Sequence, residues 1–274
     1  MSYYRPTELK DALAILAEKN PVVLAGGTDL FPATDRPMLQ GEVLDITGIS
    51  ALSGIGEVDG YTRIGAATKW SEIIAADLPP ACNALKLSAR EVGSVQIQNS
   101  GTIGGNLCNA SPAADGVPPL LILDAEVEIT SKSGRRTLPL DTFIKGNRRT
   151  DIADGEVLSA ILLPNGALKG QSNFLKLGAR KYLVISIAMV AVRVTVSGRK
   201  IETASISVGS CSEVARRLTD LESALVGQEV NDLSVSRDLI RSALSPIDDI
   251  RADSDYRLNA ASELVRRTFF GALS

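Results

Sequence analysis

The short apolar run Val22-Val23-Leu24-Ala25 reads as a β-strand and ends in Gly26-Gly27, and a second pair, Gly104-Gly105, stands inside Thr102-Ile103-Gly104-Gly105-Asn106. These two pairs limit the fold more than any other feature of the chain. Glycine accepts positive φ and lets another group come close to main-chain N–H donors, which together form a concavity for an anion. A net contribution of about 1.5–3 kcal/mol per hydrogen bond to a charged oxygen means that a few such donors hold a pyrophosphate without any lysine. Taken singly, either pair is more often just a tight turn. Neither belongs to a G-x-G-x-x-G or a G-x-x-x-x-G-K pattern, which removes a Rossmann dinucleotide site and a P-loop. Together they point to a cofactor clamped between two subdomains.

The surrounding pattern supports two such subdomains. Leu9, Ala12, Leu13 and Leu16 share one face of a helix that Thr7 would cap and Pro21 would stop. After the first glycine pair, Val43-Leu44-Asp45-Ile46 is a second short strand. Asp59-Gly60 joins two strands as a hairpin turn, Thr68 would cap a short helix, and a helix from Asn83 to Val92 ends at Gly93. Strands at Glu126–Thr130, Arg136–Leu140 and Glu156–Leu163 complete an antiparallel sheet that closes at Pro164, and the glycine-bearing stretch 165–170 reads as a linker. Two β-branched runs, Val190–Val196 and Ile201–Val208, follow as a meander or hairpin, and apolar stripes at Leu221/Leu225, Leu239/Leu244 and Leu258/Val265 make the last third helical. Strands followed by helices indicate an α+β fold. The expected division is 1–164, with subdomains of about 1–53 and 54–164, and then 171–274.

Composition removes several classes of function. The 274 residues contain no histidine, which excludes a Ser-His-Asp triad, an imidazole metal ligand and a flavin tethered through histidine. Cys82, Cys108 and Cys211 are too few and too dispersed for an iron–sulfur cluster and are expected to be buried, inert thiols. The formal net charge is −3 and the basic pairs are scattered, so nucleic acid is not an expected partner. The sequence has neither a long apolar span nor a signal-peptide core at its start, and a cytoplasmic location is expected.

Ala25-Gly26-Gly27-Thr28-Asp29-Leu30 after a strand, followed by the long run Thr102-Ile103-Gly104-Gly105-Asn106-Leu107-Cys108-Asn109-Ala110-Ser111-Pro112-Ala113-Ala114-Asp115, resembles the two FAD-binding signatures of flavoprotein subunits in the xanthine dehydrogenase and carbon monoxide dehydrogenase family. The likeness extends over nearly the whole chain, through Tyr4-Arg5-Pro6, Arg149-Thr150, Gly155-Glu156-Val157-Leu158, Phe174-Leu175-Lys176-Leu177-Gly178-Ala179-Arg180 and Asp255-Tyr256-Arg257. It implies a two-subdomain FAD-binding fold of the PCMH type, followed by an α+β C-terminal domain of the CO dehydrogenase flavoprotein type.

The resemblance also implies a set of cofactor contacts. Ala25, Gly26, Gly27, Thr28 and Asp29, with Leu30 as a further candidate, would line the FAD pyrophosphate together with Thr102, Gly104, Gly105 and Asn106. Asp115 would reach the ribityl or flavin region, and Leu158 and Lys176 would lie near the cofactor. For Asp115 a helix cap near Pro118 stays open as an alternative, for Lys176 an exposed strand position, and for Leu158 a place in the core. Trp70 and Tyr182 are more readily packing residues than flavin-stacking rings. Relatives vary widely at Lys181-Tyr182-Leu183-Val184-Ile185. The implied FAD is non-covalent. The resemblance further implies a molybdenum cofactor on a large partner subunit and [2Fe-2S] clusters on a small one, with NAD, oxygen or another acceptor taking the electrons. A self-sufficient FAD-dependent oxidase or reductase and a cofactor-free interaction subunit are the competing readings.

Overall fold

A computed structural model describes residues 2–35 and 39–274. The chain is α+β and builds three main sheets in succession. Strands β1 (Ser2–Tyr4), β2 (Val22–Leu24) and β3 (Glu42–Asp45) form a parallel sheet of order β1-β3-β2. Helix α1 (Leu9–Lys19) places Ala12, Leu13 and Leu16 against Leu44, Ile46 and Leu52. Thr7 does not cap this helix. Glu8 stands at the cap without a side-chain bond, and Asn20, at φ +43, turns the chain out before Pro21.

The second sheet is antiparallel, of order β4-β5-β10-β6-β7, built from β4 (Ile55–Val58), β5 (Tyr61–Gly65), β6 (Glu126–Ser131), β7 (Gly134–Pro139) and β10 (Glu156–Pro164). Asp59 and Gly60 both take positive φ at the β4–β5 turn, as the hairpin demands. Short helices lie between β5 and β6: α2 (Trp70–Ala75), α3 (Asn83–Glu91), α4 (Val95–Gln98), α5 (Ile103–Asn109) and α6 (Val117–Leu121). Lys69 rather than Thr68 holds the cap position of α2, because the Thr68 hydroxyl donates instead to the Gly54 carbonyl at 3.1 Å. A one-turn helix α7 (Leu140–Phe143) and the small hairpin of β8 (Ile144–Gly146) and β9 (Arg149–Thr150) lead into β10.

The third sheet, of order β11-β12-β13-β14, contains β11 (Gln171–Leu177), β12 (Ala188–Ser197), β13 (Lys200–Gly209) and β14 (Arg216–Arg217). Helices α8 (Thr219–Leu225), α9 (Arg237–Ser242) and α10 (Ser254–Leu273) follow it. Strand β12 is buried on both faces, which explains its nearly unbroken apolar run. Ala188, Val190, Val192 and Val194 point into the core shared with α8 to α10. Met189 and Ala191 alternate with them and join the core of α3, α5 and α6.

The start of α10 is tied down by Arg257, which is 2% exposed and donates to the carbonyls of Ile187 and Ser210 and to the Asp249 carboxylate at 2.7 Å. Burial works against the charge on Asp249, yet the Arg251 N–H, the Arg251 guanidinium and Arg257 together bring its carboxyl down to about 2. A carboxyl lowered on folding stabilises the fold above its unfolded value near 4, and that contribution disappears as the pH falls through about 2. Asp249→Asn is therefore expected to lower stability by on the order of 2 kcal/mol at neutral pH. In thermal unfolding the gap to the parent chain should be full above about pH 5 and should narrow below about pH 4. A gap that persists unchanged at pH 3 would contradict the assignment.

Candidate functional site

The chain leaves β2 through Ala25 and enters a run of turns at Gly27–Ala33. Of the four paired glycines only Gly27 takes positive φ, at +70°. The expectation that both pairs are needed for positive φ is corrected in favour of three other reasons for glycine. A Cβ on Gly26 would lie 2.1 Å from the Ser100 carbonyl oxygen, so this position is glycine because the second loop passes directly over it. A Cβ on Gly104 would lie 2.6 Å from both the Cβ and the carbonyl oxygen of Ala66. Gly104 thus lets α5 pack against the end of β5. Gly105 points the other way, where its nearest neighbours would be the Thr102 hydroxyl at 2.9 Å and Ala25 Cβ at 4.0 Å.

Helix α5 follows the same logic throughout. Ile103, Gly104 and Leu107 face the core, which turns Gly105, Asn106, Cys108 and Asn109 to the opposite, more accessible side. Cys108 is consequently exposed, contrary to the expectation of three buried thiols, whereas Cys82 and Cys211 are buried. Thr102 is the N-cap, and its hydroxyl accepts from the Gly105 N–H at 3.0 Å. The Ile103 and Gly104 N–H groups donate to Thr68 and Ala66 carbonyls. The Ile103, Gly104 and Gly105 donors of the second loop are accordingly committed. In the first loop, the N–H groups of Gly27, Thr28, Asp29 and Leu30 have no acceptor among the described residues. Successive donors around a positive-φ glycine form a concavity suited to an anion.

Side chains knit the two loops together. Asn109 donates to Asp29 at 3.0 Å and accepts from Arg148 at the β8–β9 turn. Asn106 accepts the Gly116 N–H at 3.3 Å, at the entry to α6. Asp115 does not cap α6; its carboxylate accepts from Lys176 Nζ at 2.8 Å and from the Ser186 hydroxyl at 2.8 Å. Lys176 also donates to the Glu91 carbonyl, and with its side chain 6% exposed it is not a solvated strand residue. Burial pushes the Asp115 carboxyl above its ordinary range, against the pull of Lys176 and Ser186. Beside Lys176, a cleft of about 670 Å³ is lined by Leu87, Arg90, Gly178, Arg180, Lys181 and Val184.

Not every residue singled out in the sequence joins this cluster. Leu158 is 2% exposed within the core of the second sheet, where its side chain packs. Trp70 is likewise buried, and Tyr182 is exposed. Ser100, Gly101, Arg148 and Ser186 enter the site without having been expected there. Gly101 carries the one available signal, since it directly precedes the second motif. Among the described residues no group of three or more metal-ligating side chains converges, and no helix is long and apolar enough to cross a membrane.

Residues 1–166 match the FAD binding domain in molybdopterin dehydrogenase, and residues 173–272 match the CO dehydrogenase flavoprotein C-terminal domain. The chain is similar to the glyceraldehyde dehydrogenase medium chain of Sulfolobus acidocaldarius, with 30% identity over 98% of this chain and 96% of that one. It is 32% identical to caffeine dehydrogenase subunit beta of a Pseudomonas species, over 97% and 92% of the two chains. Among solved structures it is similar to a chain of CO dehydrogenase from Oligotropha carboxidovorans, with a TM-score of 0.91, 29% identity and coverage of 99% and 97%.

The different reasons for Gly104 and Gly105 are separable by alanine. Gly104→Ala should cost about 1–3 kcal/mol through overpacking against Ala66. Gly105→Ala should leave stability within about 1 kcal/mol, since its methyl meets only the adjustable cap hydroxyl and gains helix propensity. Denaturant unfolding of the two variants measures the contrast, and equal losses would refute it.

Proposed function

The chain belongs to the FAD-binding flavoprotein subunits of the molybdopterin dehydrogenases, and on that premise we propose that it is the electron-transfer subunit of a heteromeric molybdenum hydroxylase. The observation that carries the proposed site is the row of four uncommitted main-chain donors, Gly27 to Leu30, beside the side-chain-free surface of Gly105. That combination fits a pyrophosphate: donors on one side, room on the other, and Gly26 free of any bulk that would part the loops. Bound FAD would supply the redox chemistry, exchange between one-electron [2Fe-2S] clusters of a small partner subunit and a two-electron acceptor such as NAD or oxygen.

The protein's own residues bind and orient. Gly27, Thr28, Asp29 and Leu30 would donate to phosphate oxygens, and Ala25 and Gly105 would form the walls. Asn106, Asn109 and Arg148 would keep the loops in register, with Asp29 as the rim contact. Asp115, held by Lys176 and Ser186, would present a fixed acceptor to the ribityl or flavin end. The hydroxylation itself would take place at the molybdenum cofactor of a large partner subunit. A self-sufficient oxidase would need a substrate base of its own, and this chain contains no histidine to serve as one.

The purified chain should carry FAD that acid precipitation releases intact, and chromatography should show no FMN, which lacks the pyrophosphate. Gly105→Val should reduce FAD content about tenfold or more, the loss expected when about 1.5–3 kcal/mol of charged hydrogen bonding is blocked, while far-ultraviolet circular dichroism stays unchanged. Full FAD occupancy in this variant would misplace the site.

Elemental analysis of the isolated chain should find neither iron nor molybdenum. Its flavin should be bleached by hydroxylase substrates only after both partner subunits are added. Stoichiometric iron, or bleaching by an aromatic heterocycle without partners, would instead favour the self-sufficient oxidase.

A further inference from the structure

Helix α6 links the two halves of the molecule, and its two ends are held by different chemistry. At its N-terminal end stand Asp115 and Gly116. Gly116 packs so closely on Trp70 that a Cβ there would lie 2.6 Å from the indole ring, and its N–H reaches Asn106 of the second glycine loop. Five residues later the helix ends, and two guanidiniums of the C-terminal domain meet its last carbonyls. Arg193 Nε donates to the Ile122 carbonyl at 2.7 Å, and Arg217 Nη1 donates to the Leu121 carbonyl at 2.9 Å. Both also share one carboxylate, Asp124, at 3.1 and 2.8 Å. Glu222, which is buried, orients Arg217 by a two-pronged contact at 2.6 and 2.8 Å, and Ser205 accepts from Arg193 at 3.1 Å. These are forked, charge-assisted contacts, which fix direction as well as distance.

The helix between these ends has little freedom to absorb a displacement. Pro118 and Pro119 lock φ over two of its five positions, and Pro118 lies against Gly209 of β13, where a Cβ would come within 2.9 Å. The preceding turn is anchored too, since the Ser210 N–H donates to the Pro112 carbonyl at 3.0 Å. A helix of this length spans about 7.5 Å, so a shift at Asp124 is passed to Gly116 and Asp115 almost undamped. We propose that Arg193 and Arg217, through Asp124 and the last carbonyls of α6, are positioning residues for the flavin site that set where Asp115 and Asn106 stand. This rests on the reading of the glycine loops and Asp115 as the FAD site. It makes the C-terminal domain a working part of that site.

The full-length chain provides the test, with FAD titrated well below the unfolding temperature. Asp124→Asn removes the shared charge from a half-exposed residue at φ +50, a conformation that asparagine tolerates. Arg217→Lys keeps the charge and loses the fork. Each should raise the FAD dissociation constant about tenfold, the scale of one charge-assisted contact, and should shift the visible circular dichroism of the bound flavin. Arg217→Lys placed in an Asp115→Asn background should add much less than it does alone, because its effect passes through Asp115. Glu263→Gln serves as the control: it removes the ion pairs with Arg266 and Arg267 on α10, away from α6 and Asp115, and should leave FAD affinity and flavin dichroism unchanged. Should Arg217→Lys fail to fold, Asp124→Asn with the Asp115 double variant decides the matter alone. Loss of thermal stability with unchanged FAD affinity and dichroism, or full additivity with Asp115→Asn, overturns the inference. If the parent chain binds no FAD, or Gly105→Val retains it, the flavin-site reading itself fails, and that outcome is distinct.

Discussion

The close approach of Gly26 to the Ser100 carbonyl is the constraint on which the rest of the site depends. No side chain fits between them, so the end of β2 and the second loop meet backbone to backbone. Around this point the Trp70 N–H donates to Gly101 and the Ile103 N–H to Thr68, which fixes the start of α5 against the end of β5. The parallel first sheet and the antiparallel second sheet are joined here, and again where α1 and Leu44 pack on Val157 of β10. A Cβ on Gly105 would come within 4.0 Å of Ala25 Cβ, so the two loops also approach each other there. A side chain at position 26 would part the loops whether or not a ligand is bound. At position 105 a Cβ would meet the Thr102 hydroxyl, the cap acceptor of α5, at 2.9 Å and Ala25 Cβ at 4.0 Å.

Strand β12 imposes a second constraint, at the level of domains. Its alternate residues feed two hydrophobic cores, one under α8 to α10 and one under α3, α5 and α6. At about 25 cal/mol per Å² of apolar surface, a strand buried on both faces stabilises two packings at once and couples them. Arg193 occupies the position in this alternation after Met189 and Ala191. It therefore points at the second sheet's helices, and its charge is compensated by the α6 carbonyls and Asp124. The C-terminal domain is in this sense the far wall of the compartment that contains Asp115.

Much of this was legible in the residue order. The hairpin at Asp59-Gly60, the glycine stop at Gly93, the strands closing at Pro164 and the β-branched pair after it all stand where local pattern puts them, because each depends on neighbours close in sequence. The caps expected at Thr7 and Thr68 do not form: Thr68 donates to the Gly54 carbonyl, 14 residues away, and Thr7 stands one residue before the cap position that Glu8 holds. The reason for each glycine was hidden, since Ser100 and Ala66 come near Gly26 and Gly104 only after the sheets assemble. Ser186 was invisible for the same cause, lying 71 residues from the carboxylate it serves. The alternation of β12 between two cores could not be read either, because both of its faces are apolar and periodicity then carries no direction.

The buried pair of Asp115 and Lys176 shows what the arrangement is suited to. Removing two charges from water costs several kcal/mol per ion, and the attraction between them offsets this only when the remaining polar atoms are also satisfied. Here they are: Lys176 has a second acceptor in the Glu91 carbonyl, and the other oxygen of Asp115 has the Ser186 hydroxyl. A well-packed apolar pair would stabilise the fold at least as well, so stability alone does not account for the charges. What they provide is direction. Lys176 and Ser186 approach different oxygens, which fixes the plane of the carboxylate, and each oxygen keeps a further lone pair. Asp115 can therefore accept a hydrogen bond from a bound group without releasing either partner. Because Asp115 and Gly116 also sit at the head of a proline-stiffened helix, the direction of that acceptor is set from both domains at once.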